Sequence, residues 1–338
     1  MKKYFFYLTI ISILLTLNNL PLQAQENKKL AQAGMKFLTT SLDARASSLA
    51  RSVTAVYSNS SALLYNPACM AGIEKSFDFS VGRVNFIADI NYIYGTAAYV
   101  PGKGEWGIIG ISFVSVDYGD LMGTVRAENE QGFIDLGTFN PLAISVGLGY
   151  SNSLTSQFSI GAQVKYVKQD LAGGIVDFTS DQAGVSIETN KEVIVFDFGF
   201  LYDTGFESLK FGMSIRNFSQ EIKYVQESFQ LPLTFRIGLS MNTLDLAGID
   251  PDKHSLMLSV DASHPRDYSE QLGFGMEYVF MKMFALRAGY EFPNDEHGFA
   301  AGVGFHKDIA DIDFGVDYAY TPFGIFGDVH RFTLQFSL

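Results

Sequence analysis

Residues 310–320 read Ala310-Asp311-Ile312-Asp313-Phe314-Gly315-Val316-Asp317-Tyr318-Ala319-Tyr320, and the chain closes on Val329-His330-Arg331-Phe332-Thr333-Leu334-Gln335-Phe336-Ser337-Leu338. In the first stretch Ile312, Phe314, Val316, Tyr318 and Tyr320 fall on one face of an extended chain, and Asp311, Asp313 and Asp317 fall on the other. A period of two with one apolar and one charged face is a strand between two unlike environments. Burying both faces in a protein core would strand the aspartates, so the apolar face calls for hydrocarbon and the charged face for a separate, wetter interior.

The pattern repeats upstream. Leu142, Ile144, Val146, Leu148 and Tyr150 oppose Ala143, Ser145, Gly147 and Gly149; Phe158, Ile160, Ala162, Val164 and Tyr166 oppose Gln157, Ser159, Gln163 and Lys165; Leu233, Phe235, Ile237 and Leu239 oppose Thr234, Arg236 and Ser240. Alternating runs of about ten residues, the length of a tilted strand crossing a bilayer, are predicted near 76–86, 90–100, 106–116, 140–150, 157–168, 191–203, 209–219, 231–242, 253–263, 269–279, 284–293, 297–306, 310–320 and 329–338. The expected fold is all-β, a transmembrane antiparallel barrel of about fourteen strands.

The connections agree. Tight or modest links (Pro101 to Gly104, Ser151 to Ser156, Thr204 to Ser208, Phe280 to Met283, Lys307 to Ile309) alternate with longer polar ones (Asp117 to Phe139, Gln169 to Asn190, Ser219 to Gln230), with Thr243 to Asp252 an unusually long turn. That asymmetry predicts a barrel with both termini in the periplasm. Aromatics near strand ends, among them Phe77, Tyr99, Trp106, Tyr150, Tyr202, Phe280, Phe292 and Tyr320, suit the interfacial girdles. A secreted β-sandwich also alternates, but it needs neither so many successive strands nor the girdles. The terminal strand, with Phe336 near its end, is similar to the final strand read by outer-membrane assembly machinery.

Lys2 and Lys3, the apolar run from Tyr4 to Leu15, and Leu22-Gln23-Ala24 follow the order of a secretory signal, with cleavage expected after Ala24. Gln25 rather than cysteine follows, so lipoprotein attachment is excluded. Removing residues 1–24 takes the net charge from −12 to −14, which disfavours nucleic acid. The composition, with 47% hydrophobic residues, 32 Gly and only 9 Pro, favours glycine-relieved strands. Later apolar runs are broken too often for a spanning helix. Cys69 has no partner for an intrachain disulfide and reads as a buried apolar residue.

Residues 25–74 precede the barrel of 75–338 and do not alternate. Ser41 to Ala50 predicts a short helix with a Ser or Asp cap, and Tyr65-Asn66-Pro67-Ala68 a turn. With no membrane to cross, the segment is expected to fill the barrel as a partly helical plug rather than lie beneath it. Ala33-Gly34-Met35-Lys36-Phe37-Leu38, Asp43-Ala44-Arg45-Ala46 and Ser61 to Ala68 together resemble the N-terminal signature of the PorV/PorQ family. That family falls among the FadL-like outer-membrane barrels and is characteristic of the Bacteroidota. The resemblance implies a role in type IX secretion and marks Asp43, Arg45, Asn66 and Pro67 as the plug motif.

Charges at mid-membrane depth cost about 2 to 4 kcal/mol for Arg or Lys on the lipid face, so Lys165, Arg236, Asp261, Glu277, Arg287, Glu291, Asp311, Asp313, Asp317 and Arg331 are expected to face the lumen. An interior ion-pair network holding the plug is the favoured reading, and a solute path the alternative. The five histidines stand apart, and Asp295-Glu296-His297 reads as a solvated turn, so no metal site is expected. With no nucleophile elbow or phosphate loop, neither an enzyme nor a cofactor is indicated, although a hydrolase assembled from distant strands would leave no local motif.

Two functions follow. The resemblance implies an accessory barrel of type IX secretion or surface attachment, its outer loops docking translocon or attachment proteins or the C-terminal domains of cargo. Alternatively, a FadL-like channel would admit a hydrophobic ligand past a moving plug, with Leu121, Met122, Phe133, Ile134 and Leu136 near its mouth. A purely structural or adhesive barrel is a third reading, since fold alone does not decide function.

Overall fold

The computed structural model describes residues 33–171, 175–177, 185–186, 190–223, 228–294 and 298–338. Fourteen strands close one antiparallel barrel: β1 (Phe77–Asn85), β2 (Asn91–Tyr99), β3 (Ile108–Asp117), β4 (Leu142–Ser153), β5 (Phe158–Asp170), β6 (Asn190–Asp203), β7 (Lys210–Phe218), β8 (Thr234–Asn242), β9 (His254–Pro265), β10 (Gln271–Phe280), β11 (Phe284–Phe292), β12 (Phe299–Ile309), β13 (Ile312–Pro322) and β14 (Asp328–Ser337). Each pairs with its neighbours in the chain, and β1 also pairs with β14 from Asp78 opposite Ser337 to Asn85 opposite His330. The wall therefore has no free edge. Phe77 and Leu338 exchange backbone hydrogen bonds of 3.0 and 2.8 Å at the seam.

Every expected strand coincides with an observed one to within three residues. The reason is in the alternation: Leu142, Val146, Leu148 and Tyr150 are exposed on the outside, while Ala143, Ser145 and Ser151 are buried inside. Because the side-chain period is two, a slip of one residue would turn the lumen face of a strand into hydrocarbon, so the pattern fixes the register. The expected signal residues 1–24 and the Asp295-Glu296-His297 turn lie outside the described residues.

One end of the barrel carries short connections, such as 154–157, 204–209, 281–283 and 310–311; even the long turn after β8 is ordered as a 3₁₀ turn, Thr243–Ala247, capped by Asn242. The other end carries the long ones. The stretch between β3 and β4, expected to be loop, contains a hairpin of Leu121–Arg126 against Phe133–Phe139. Its turn is closed by Asn129, which accepts from the Gln131 amide at 3.1 Å and donates to the Phe133 carbonyl at 2.8 Å. The arms are too short to cross a bilayer, which is why a reading keyed to spanning length passes over them.

Candidate functional site

Residues 33–73 run inside the wall. Gly34 donates to the Gln230 carbonyl at 3.1 Å, and Lys36 pairs with Asp267, both at the long-loop end. The segment then circles the lumen: the short helix α1 (Ala44–Ser48) rests on β11 to β14, residues 49–55 pass β7 to β11, residues 60–64 lie on β1 to β3, and residues 67–72 on β4 to β6. It leaves at the short-connection end, where the Ser76 carbonyl accepts from Val100 at 2.9 Å and the chain enters β1. Ala33 and Leu338 therefore lie at opposite ends of the barrel; the N-terminus itself is outside the described residues.

This close passage requires glycine on the wall. A β-carbon at Gly161 would overlap the backbone of Pro67 and Ala68, and one at Gly212 would overlap the Thr54 carbonyl. The motif residues hold the segment's turns. Asp43 caps α1 by accepting from the Ala46 amide at 2.8 Å, and its second oxygen accepts from the Tyr94 hydroxyl at 3.2 Å. Asn66 accepts from the Ala68 amide at 3.1 Å and donates to the Thr54 carbonyl at 2.7 Å and the Phe200 carbonyl at 3.2 Å, with Pro67 in the first position of the turn.

A belt of charge joins segment and wall. Arg45 grips both oxygens of Glu277 at 2.9 and 2.7 Å. Arg287 also donates to Glu277 and pairs with Asp317, which accepts from Gln335 at 3.1 Å and lies 3.2 Å from His306 Nε2. Arg51 pairs with Glu291, and Arg236 donates to the Arg51 carbonyl at 2.9 Å. Arg331 donates to the Ser41 carbonyl at 2.8 Å and to Thr321 at 2.9 Å, and Asp261 accepts from the Thr54 hydroxyl at 2.6 Å. Forked guanidinium pairs of this kind give direction as well as energy. Lys165 forms a separate pair, 2.7 Å from Asp197 and 2.8 Å from Asn217.

Two of the charges expected in the lumen stand apart. Asp311 sits with Ala310 in the tight turn between β12 and β13, exposed, its carbonyl accepting from Lys75 at 2.8 Å. Asp313 is exposed at the start of β13. Conversely, Arg51, Asp197, Arg216 and Asn217 belong to the interior set and were not expected there. Asp197 had a signal, a lone charge in the Val193 to Phe200 run. Arg216 and Asn217 break the alternation because β7 is bulged opposite Asp197: Asn217 takes a φ of 61°, its amide donates to Asp197 at 2.7 Å, and two successive side chains turn inward.

Above the belt, toward the long loops, Val84, Val116, Val167, Val193 and Val195 of the wall form an apolar cluster with Phe37, Leu38 and Leu42, with Lys165 and Arg216 beside it and Arg216 donating to the Leu38 carbonyl at 3.4 Å. Toward the other end, Cys69 is 1% exposed among Ala62, Leu63, Met70 and Leu201, and burial pushes its thiol pKa up. A cavity of about 10 Å³ lies within the segment, and two of about 20 and 30 Å³ lie between segment and wall, room for roughly one water each. A wider vestibule of about 350 Å³, lined by Arg45, Tyr57, Glu277, Lys282 and His306, opens at the short-connection end.

Outside, the hairpin between β3 and β4 stands exposed. Leu121, Met122, Phe133, Ile134 and Leu136 each show more than two-fifths of their surface, Met122 as much as 72%. Asp120, Glu128, Glu130 and Asp135 outnumber Arg126 around them.

Residues 131–336, more than half of the chain, match the family model described as type IX secretion system membrane protein PorP/SprF. This overturns the PorV/PorQ resemblance. The motif that carried it, residues 33–68, lies outside the match, and its residues are turn caps and close-packing positions, a duty that does not discriminate among barrels with a filled lumen. A search of curated proteins finds no match. Solved structures similar in fold include the toluene transporter TodX of Pseudomonas putida (12% identity, 87% of this chain and 97% of that one, TM-score 0.58) and the toluene transporter TbuX of Ralstonia pickettii (12%, 88% and 97%, 0.56). A FadL homologue of Pseudomonas aeruginosa is also similar (11%, 88% and 98%, 0.52). At these identities the likeness is one of architecture, a FadL-like barrel.

Proposed function

The chain belongs to the type IX secretion system membrane protein PorP/SprF family, and on that footing we propose that it is a non-enzymatic accessory barrel of the outer membrane that docks secretion partners or the C-terminal domains of cargo. The family match carries this reading. Two features of the fold support it: a lumen occupied by residues 33–73 and tied at Arg45, Arg51 and Arg331, which suits a scaffold better than a pore, and a hairpin at the long-loop end with exposed apolar and acidic residues. Residues 25–74 act as the plug, the signal of residues 1–24 directs export, and the long loops face outward.

Deleting the gene and restoring it either whole or with residues 120–139 replaced by a short Gly-Ser link tests the role. Loss of cargo export on deletion, restored by the whole gene and not by the shortened one, is expected; unchanged export on deletion refutes it.

A second reading is favoured by the apolar upper lumen around Phe37 and Leu38. If residues 33–42 withdraw, a hydrophobic small molecule has a lined chamber to enter, as in the toluene transporters of similar fold. Equal uptake of labelled toluene or fatty acid by wild-type and deletion strains counts against it.

A further inference from the structure

The negative charge of the chain is gathered at one end of the barrel. The connections at the long-loop end, residues 86–90, 118–141, 171–189, 219–233, 266–270, 293–298 and 323–327, hold 14 Asp and Glu against three Lys and Arg. Those at the other end, 100–107, 154–157, 204–209, 243–253, 281–283 and 310–311, hold six against three. The strand ends that flank the longest loops, with Asp117, Asp170 and Glu192 against Lys168 and Lys191, do not reverse the balance. A surface of one sign sets up a field that reaches about a Debye length, ~8 Å at physiological salt, into the water above it. It repels anionic surfaces and a second copy of this chain meeting it end to end, and it attracts basic ones.

The hairpin of Leu121–Arg126 and Phe133–Phe139 stands in this field. Asp120, Glu128, Glu130 and Asp135 are exposed and carry no ion pair among the described residues. Asp120 and Asp135 accept from neutral donors, the Asn140 side-chain amide and, at 2.8 Å, the Gly137 backbone amide, which fix their place without cancelling their charge. Arg126 is the one cation of residues 118–141. Interleaved with the acids are Leu121, Met122, Phe133, Ile134 and Leu136, each more than two-fifths exposed, and apolar side chains grouped on a surface in this way mark a contact. From Phe133 to Asp135 the pairing with Leu121–Arg126 is regular, and among the described residues no strand lies on the other side, so that edge is open to an extended segment.

We propose that the hairpin docks a basic, extended segment of a partner protein, with Lys or Arg side chains over Glu128, Glu130 and Asp135 and apolar side chains on Met122, Phe133 and Ile134. This rests on the docking role given to the long-loop end above and names the chemistry of what docks there. The field of the whole end steers the segment in, and the apolar contacts set how long it stays. A divalent cation makes no use of the apolar residues, and a second copy meets its own charge.

The test uses the full chain in phosphatidylcholine nanodiscs and two labelled peptides of about nine residues, one alternating Lys with Val and the other Glu with Val, read by fluorescence anisotropy against empty discs. The Lys peptide is expected to bind and the Glu peptide not, with affinity about tenfold weaker at about 0.3 M salt than at about 0.05 M. Glu128→Gln/Glu130→Gln/Asp135→Asn weakens binding about tenfold and flattens the salt dependence, and Met122→Ser/Ile134→Ser weakens it about tenfold at both salts. Asp250→Asn/Asp252→Asn, at the short-connection end, leaves it unchanged. Equal binding of the two peptides, or binding unaltered by the hairpin variants, overturns the proposal. So does displacement of the peptide by magnesium with no effect of Met122→Ser/Ile134→Ser, which assigns the patch to a cation. Peptide binding with export unchanged on gene deletion refutes the secretion role and leaves the docking chemistry standing; lost export without peptide binding refutes the chemistry alone.

Discussion

Arg45→Ala should loosen the lumen segment by a measurable and bounded amount. Arg45 makes two hydrogen bonds to Glu277, whose side chain is almost wholly buried, while its own side chain is 22% exposed. Stripping one partner from a buried ion pair costs about 3 to 5 kcal/mol when the other is left alone. Glu277 is not left alone, because Arg287 still donates to it, and the exposure of Arg45 reduces the loss further. About 2 kcal/mol is the expected figure. The chain's single cysteine reads it out: Cys69 lies in the same segment, buried against the wall, so a maleimide reaches it only when the segment opens. A loss of 2 kcal/mol makes labelling about thirtyfold faster. Glu277→Gln should accelerate it too, and the double variant should show coupling, since both changes remove the same contact. Labelling within twofold of wild type in Arg45→Ala, with the protein still barrel-folded by its gel shift on heating, would refute the idea that the ion belt holds the segment.

Gly161→Leu puts a side chain where Pro67 and Ala68 now lie, and should raise Cys69 labelling by more than about tenfold by displacing that turn, a contact no rotamer can avoid; protection equal to wild type would contradict the packing. Lys165→Met leaves Asp197 buried with the Asn217 amide but without its counter-ion and should lower the barrel's heat-unfolding temperature by several degrees, corresponding to about 3 kcal/mol, with Lys165→Met/Asp197→Leu recovering most of it; an additive double variant would argue against the pair. Trp106, the chain's one tryptophan and 73% exposed near the short-connection end, should be quenched by lipids brominated near the headgroup and less by those brominated at the chain end. Insensitivity to both would move that end of the barrel out of the membrane.

The wall could be read from the sequence because membrane depth and the two-residue period constrain every strand together. Ile312 to Tyr320 must put its apolar side outward, and the same rule placed Lys165, Glu277, Arg287 and Asp317 inside. The rule failed where geometry departs from it. At Arg216 and Asn217 a bulge turns two neighbours inward, and at Asp311 a tight turn carries the residue out of the strand. The lumen segment follows no period at all, so Asp43 and Asn66 were recognisable as caps, but the reach of Arg51 to Glu291 was not, since 240 residues separate them. Family membership was harder still. The Asp43 and Asn66 motifs reflect packing inside a barrel, and the match that decides the family rests on residues 131–336.

The central claim is that this barrel is a docking component of type IX secretion. Tagged protein purified from outer membranes, whole and with residues 120–139 replaced by a short link, tests it when the co-purifying proteins are identified by mass spectrometry. The account predicts translocon or attachment proteins, or cargo carrying C-terminal secretion domains, with the whole chain, and their loss with the shortened one. Recovery of the barrel alone in both cases would contradict it.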